Sequence, residues 1–433
     1  MNFNNGSSFK SLWVISGVVL LLIQSSVCEA QENWDRFRGP NGTGVSESVN
    51  LPIEIEEEHI SWEADLKGSG SSSPIVWGDQ VFVTSYSKTG DKSALTLHCF
   101  ELNTGKPKWE KPLPTNPDHL HQRNSPASST PTVDQENVYV VIYDKAGMRV
   151  HAVDRESGEP KWKRELGKFP SQHGFGTSPI LHEKQLLLFY SQQAQKMPKD
   201  VQPGVSSMVS LSTEDGSIGW RTNLESTRTC YGAPALVSVG DGPKQIVGFN
   251  TGNGFFGMDL NGDLKWSTMP FKKRTVASVL WTGDRLIGSC GSGGGGNYLV
   301  ALKPNEKAGA EAPFEFAYQI EKANYVPSPI AIDGKLFLFS DRGIGSCFKL
   351  DDGEMLWRKR LAPGFSGSPV AADGHIYILD ESGNLLTLSD AAEGEIVSKY
   401  RFGEGSRATP AIVGERLLVR TSGHLYCLKK SEK

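Results

Sequence analysis

The chain contains no Gly-x-Ser-x-Gly, no Cys-x-x-Cys and no two adjacent cysteines. A serine-hydrolase elbow and a thiol-redox pair are therefore excluded. It also lacks a strong charge of either sign. The 45 basic and 49 acidic residues leave a net charge of −4, too weak to steer a polyanion, so nucleic acid is not an expected partner. Long apolar runs are scarce. One apolar stretch, Leu12 to Ile23, is too short for a comfortable membrane span, and no other long one follows. The glycine-rich stretch Gly291 to Gly296 is not followed by Lys-Ser or Lys-Thr, so it is no phosphate loop.

What is present begins with an export signal. Lys10 precedes the apolar stretch, and Ala30 offers a small residue for cleavage before Gln31. Residues 1–30 are expected to be a cleaved signal peptide, and the mature protein periplasmic or extracellular. A retained anchor and a lipid on Cys28 are the alternatives, the second disfavoured by bulky Val27. The mature chain keeps five cysteines. That odd number leaves at least one thiol free even in an oxidising compartment.

The dominant feature is a repeat. Its first half is a small-residue patch, usually followed by Pro, then an apolar strand, a glycine turn and a second strand. Ser72-Ser73-Pro74, Ser129-Thr130-Pro131, Thr177-Ser178-Pro179, Gly232-Ala233-Pro234, Pro327-Ser328-Pro329, Gly367-Ser368-Pro369 and Ala408-Thr409-Pro410 mark seven starts. Ala277-Ser278-Val279 fills the fifth slot without Pro, making eight units roughly 40 to 57 residues apart. The second half is an alternating strand, an Asp/Asn–Gly turn and a strand bearing Trp. Gly105, Gly158, Gly216, Gly262 and Gly353 each precede Trp109, Trp162, Trp220, Trp266 and Trp357 by four residues. In the fifth unit Phe316 is assigned the Trp role, and the seventh has only Ser398.

Each unit reads as four short antiparallel strands, A to D. Such a sheet buries both apolar faces only by packing against copies of itself around a ring. The expected fold is all-β, an eight-bladed propeller over residues 61–428, with an N-terminal extension at 31–60 and a tail at 429–433. The last unit lacks its Trp strand, while Ser61 to Leu66, carrying Trp62, precedes the first A strand. The N-terminal strand is therefore expected to complete the last blade. The repeating Trp is expected to wedge between blades with its N–H bonded to backbone. Cys99, Cys347 and Cys427 share one repeat position with Ala152 and Ser210, so small size is what that position selects.

These motifs resemble the PQQ-type propeller repeat, most closely at Phe100 to Trp109 and Val153 to Trp162. Two branches carry it. Quinoprotein alcohol dehydrogenases bind pyrroloquinoline quinone (PQQ) and calcium, whereas BamB-like lipoproteins are scaffolds of outer-membrane assembly. The dehydrogenases place two adjacent cysteines under the quinone, and this chain has none. Their calcium-binding Glu, Asn and Asp find no counterparts here. The segment Trp34 to Ser46 is similar to a lead-in of planctomycete-type exported propellers. The resemblance implies a non-enzymatic exported scaffold that needs no cofactor. The alternatives are a quinone- and calcium-dependent dehydrogenase of alcohols or sugars and a carbohydrate-binding propeller.

Function is expected on the face bearing the B–C and D–A connections, where Lys111 to Ser125, Gln192 to Ser207 and Cys290 to Asn297 are long. A protein or envelope component is the expected partner there. Residues just before each A strand should ring the central channel: Arg123, Asn124, His173, Phe175, Tyr231, Arg274, Tyr325, Phe365 and Arg407. Such a funnel suits a planar or anionic ligand. Three motif matches are set aside. Gly252 to Gly257 fits G-x-G-x-x-G without a following helix. Asp259 to Asp263 has Pro270 where a calcium loop needs its bidentate Glu. His119, His121 and His173 lack a fourth metal ligand.

Overall fold

The computed structural model describes Met1 and residues 33–431, apart from 198, 306, 308, 310 and 392. The expected signal peptide, Met1 aside, lies outside the described residues.

The repeat folds as the pattern predicts, into eight four-stranded antiparallel sheets arranged as an eight-bladed propeller. Blade 1 comprises Ile75–Trp77, Gln80–Thr89, Lys92–Glu101 and Pro107–Pro114. Later blades repeat this order, with A strands of two or three residues nearest the channel. The B and C strands are buried on both sides, as in the fully buried Asn137–Asp144 of blade 2, because each sheet packs its two faces on its neighbours. The D strands alternate between exposed and less exposed residues, as in Pro160–Gly167, because they form the rim.

Blade 8 is built from both parts of the chain. Ala411–Val413, Arg416–Arg420 and His424–Lys429 supply its inner strands, and Ile60–Asp65 supplies the outer one. Trp62 stands opposite Cys427 in this pair. The same register recurs: Trp109 faces Cys99, Trp162 faces Ala152, Trp220 faces Ser210, Trp266 faces Gly257 and Trp357 faces Cys347. The small residue is selected because a bulky ring lies across the strand. At Gly257 a Cβ would fall 2.2 Å from the Trp266 ring nitrogen.

The rings join blade to blade. Trp62 donates its N–H to the Leu102 carbonyl at 2.8 Å, Trp109 to Arg155, Trp162 to Thr213 and Trp220 to Leu260. Each of these rings lies flat on the turn glycine of the next blade. A Cβ on Gly105, Gly158, Gly216 or Gly262 would lie 2.4–2.7 Å from it, and all four glycines have positive φ. Trp266 departs from the pattern: its N–H goes to Gln245 of its own blade, and its ring meets Phe314 of blade 5.

Blade 5 corrects one expectation. Tyr318, not Phe316, holds the ring position. Tyr318 pairs with Ala301, donates its hydroxyl to the Leu350 carbonyl at 2.8 Å, and covers Gly353. The bulge between Ala301 and Leu302 stands where other blades carry theirs, as at Cys99/Phe100 and Ser210/Leu211, so the register of the ring position is the common one. Phe316 therefore takes the register of Pro107 and Ile218 and is 51% exposed.

The segment 33–59 packs against the propeller. Trp34 pairs with Val76 beside the A strand of blade 1, and Val45 pairs in parallel with Ala371 in blade 7. Between them, the Asn41 amide donates to and accepts from the Leu236 backbone of blade 4. The strap thus satisfies inner-edge backbone groups of A strands, which otherwise have no neighbour. Leu51 and Ile55 then enter the core between blades 7 and 8, and the Ile55 N–H donates to Ser398 at 2.9 Å. This explains the missing Trp of the seventh unit. Blade 8 has no C–D turn for a ring to cover, since its D strand comes from the other part of the chain.

Two outcomes test this packing. Removing the chain through Asp65 reopens two sheet edges and costs more than about 5 kcal/mol of unfolding free energy, against about 3 for Trp62→Ala. Tyr318→Ala costs about 3 kcal/mol, while Phe316→Ala stays within about 0.5. Urea unfolding of the four proteins measures both, and equal losses for the last two would refute the register.

Candidate functional site

The extended segments leading into the A strands converge on the channel, and their two-residue period sorts their side chains. One tier is Ser73, Thr130, Ser178, Ala233, Ser278, Ser328, Ser368 and Thr409. Two residues earlier in each blade stand Ser71, Ser128, Gly176, Tyr231, Val276, Val326, Ser366 and Arg407. All sixteen line one cavity of about 580 Å³.

The deeper tier carries a hydrogen-bond ring. In seven of the eight blade-to-blade steps, the backbone N–H of the tier residue donates to the hydroxyl of the next blade at 2.9–3.1 Å. The last of these runs from Thr409 to Ser73 and spans the seam. The gap is at Ala233, whose methyl cannot accept from Ser178.

The mouth is made by the B–C and D–A connections. Arg123, Asn124, His173, Tyr231, Arg274, Tyr325 and Arg407 all line the cavity, joined by His121, Gln172, Lys196, Arg228, Asp341 and the stretch Gly291 to Gly293. Phe175 and Phe365 do not line it. They stand three residues before the deep tier and turn into the blades, where Phe175 packs on Phe169 and Phe365 on Phe339, whereas Tyr325 at the same step of blade 6 does line the cavity. At the other end Phe37 of the strap lines the cavity. Its neighbours bind the wall: Arg36 donates to the Pro234 carbonyl at 2.9 Å and Arg38 to the Pro329 carbonyl at 2.7 Å. The hydroxyl ring, Phe37, Lys196, Arg228 and Asp341 were not expected as site residues. The recurring Ser or Thr before Pro was the available signal, legible as a strand marker but not as a lining.

Charge in the mouth is unevenly spent. Arg123 pairs with Glu381 at 3.0 Å, and Glu381 also accepts from Ser366. Among the described residues Lys196, Arg228, Arg274 and Arg407 make no ion pair. Arg274 is 7% exposed, and its Nε and the Tyr231 hydroxyl are buried without hydrogen-bond partners. Asp341 is the acid lining the cavity, and burial raises its pKa. Asn124 clasps the His173 and Phe175 carbonyls at 2.8 and 3.1 Å. Burial, then Arg274 and His121, lowers the His173 imidazole to about 4.

The rejected motifs stay rejected. Gly254–Met258 is a strand, so no helix follows the glycines. Asp259 and Asp263 are both paired with Lys265 in a C–D turn. His121 and His173 meet edge-on at 4.8 Å, yet no group of three His, Cys, Asp or Glu among the described residues has metal-binding geometry. A calcium ion takes six to eight oxygens, several from carboxylates. The cavity offers Asp341, while Glu381 is already bound by Arg123 and Ser366. The five described cysteines are buried and unpaired, so none forms a disulfide floor. The residues present do not fit a quinone–calcium centre.

The family model described as outer membrane protein assembly factor BamB, PQQ_2, matches residues 53–229 and 340–430. That is more than half of the chain. The chain belongs to this family of PQQ-repeat propellers. No curated protein matches its sequence. Among solved structures, a europium-containing methanol dehydrogenase shares 10% identity at TM-score 0.65, over 92% of this chain and 98% of its own. The quinohemoprotein alcohol dehydrogenase of Comamonas testosteroni shares 12% at 0.61, over 93% and 81%. BamB of Moraxella catarrhalis shares 12% at 0.39, over 89% and 96%, a score that carries no argument. The two dehydrogenases, at such identities, show a common fold alone.

His173 gives this PQQ-repeat propeller a pH signature. Its folded pKa lies below the ordinary value of 6.5, so on acidification the unfolded chain takes up the proton first. The stability tied to the neutral ring is whole above pH 6.5 and is lost as pH falls toward 4. After allowance for solvent screening, the stability margin of the native protein over His173→Asn shrinks by about 1 kcal/mol between pH 7 and 4. Urea unfolding of both proteins across that range tests this, and parallel curves would contradict it.

Proposed function

We propose that this protein is an exported, non-enzymatic binding scaffold of the cell envelope that engages its partner through the face carrying the B–C and D–A loops. One observation carries this reading: the two ends of the channel differ. The strap of residues 33–59 occupies the A–B end, and the opposite end is an open cationic funnel framed by the long loops. A rigid ring with elaborated loops on one face is a binding architecture. The membership in a family described by an assembly factor supports a protein partner. Cleavage near Ala30, with residues 1–30 as signal peptide, belongs to the same reading.

The funnel residues Arg123, Asn124, His173, Tyr231, Arg274, Tyr325 and Arg407 form part of this working face. A quinone-dependent dehydrogenase is the second reading, supported by arginines and tyrosines able to hold a planar anion. The lack of a calcium ligand set among the described residues speaks against it.

Photo-crosslinking in the native envelope separates the two. A crosslinking residue at exposed Lys199 captures a discrete envelope protein, and one at exposed Glu415 on the strap side does not. Purified protein shows no change in Tm on adding PQQ with Ca²⁺. Equal capture from both faces would remove the proposed polarity. A clear thermal shift with a quinone absorbance band would establish the dehydrogenase reading instead.

A further inference from the structure

We propose that the funnel is a binding site for a small, multiply charged oxyanion, a carboxylate or phosphate compound, and that the N-terminal strap supplies its floor through Phe37. This rests on the scaffold reading for its setting and names what the face recognises.

The charged groups facing the cavity are mainly cationic, set against the Asp341 carboxyl, whose Oδ1 is buried without a hydrogen-bond partner. Lys196, Arg228, Arg274 and Arg407 line it without an ion-pair partner among the described residues, whereas Arg123 is already held by Glu381. Four cations without an ion pair, against the one lining carboxyl of Asp341, leave a net positive potential in the concave mouth. The overall charge of the chain is −4, so this potential is a local construction.

Two buried donors point to a ligand rather than to bulk water. The Arg274 side chain is more than nine-tenths buried, its Nη2 lies 3.5 Å from Gln172, Tyr325 lies beside the guanidinium, and its Nε has no partner. The Tyr231 hydroxyl, in the same wall, is also buried and unpartnered. Leaving such groups unsatisfied costs free energy that an acceptor in the cavity recovers.

The hydroxyl ring adds to this. Each of its seven oxygens accepts a backbone N–H from the preceding blade. None of the seven hydroxyls donates to a protein acceptor among the described residues. Their protons are left for a ligand in the cavity they line. Guanidinium forks, a phenol and hydroxyls together match carboxylate or phosphate oxygens. A volume of about 580 Å³ suits a small molecule.

The floor does not come from the blades. Phe37 reaches the cavity because Asp35 accepts from Val133 and Thr132 of blade 2, while Arg36 and Arg38 grip blades 4 and 6. The site is complete only with the strap in place.

Isothermal titration of the purified protein with citrate, inorganic phosphate and hexaglutamate at low ionic strength tests the proposal. At least one of them binds with a stoichiometry of one. Arg274→Gln and Arg407→Gln each weaken that binding tenfold or more, and Arg123→Gln weakens it less. Phe37→Ala weakens it at least threefold. Tight citrate or phosphate binding identifies a free small ligand, and hexaglutamate alone identifies an acidic segment of a partner chain. No heat from any of the three at millimolar concentration overturns the proposal, as does binding unchanged in Arg407→Gln. Should Arg274→Gln not fold, the more exposed Arg407 decides. The crosslinking outcome at Lys199 is independent of all these titrations, so scaffold and ligand readings fail separately.

Discussion

A four-stranded sheet with two apolar faces cannot stand alone in water; it needs a neighbour on each side. In this protein that need is met eight times only because Ile60–Asp65 pairs with His424–Lys429. Without that pairing, blade 8 would lack its rim strand and Trp62 would leave Gly105 of blade 1 uncovered. The Trp–glycine contacts, the small residues opposite the rings and the buried B and C strands all presuppose the closed circle. Even the exception at Ser398 follows from it, since the seam has no turn there and the strap fills the space.

Closure also shapes the site. The backbone-to-hydroxyl bonds that tie blade to blade at the channel wall leave the same hydroxyls facing the cavity. Residues that fasten the ring thus line the funnel. Specificity then falls to what is not repeated: Tyr231, Arg274, Arg407, Lys196 and Arg228 from single blades, and Phe37 from outside the repeat.

Much of the fold was legible because a repeat reports each structural requirement several times. Eight starts, spaced glycines and a displaced Trp strand were enough to place the seam. Phe316 was misassigned because the fifth unit replaces the tight C–D turn with a longer connection between Pro304 and Phe314, so the four-residue count from turn glycine to ring has nothing to start from. Phe175 and Phe365 were expected in the channel because nothing in the sequence separates them from Tyr325, which stands at the same step before its A strand and does line the cavity. The strap's contacts were illegible for another reason. Trp34, Arg36 and Asn41 bind backbone groups of distant blades, and backbone partners carry no sequence signature.

The seam has a consequence in time. The strand made first pairs with the strand made last, more than 350 residues later. Contacts of such sequence separation form slowly. Until His424–Lys429 exists, Ile60–Asp65 has no partner, and the outer apolar faces of the first and last blades of the open row are free to associate with other chains. During synthesis this protein is therefore an unfinished circle, dependent on whatever shields it until its final strand arrives.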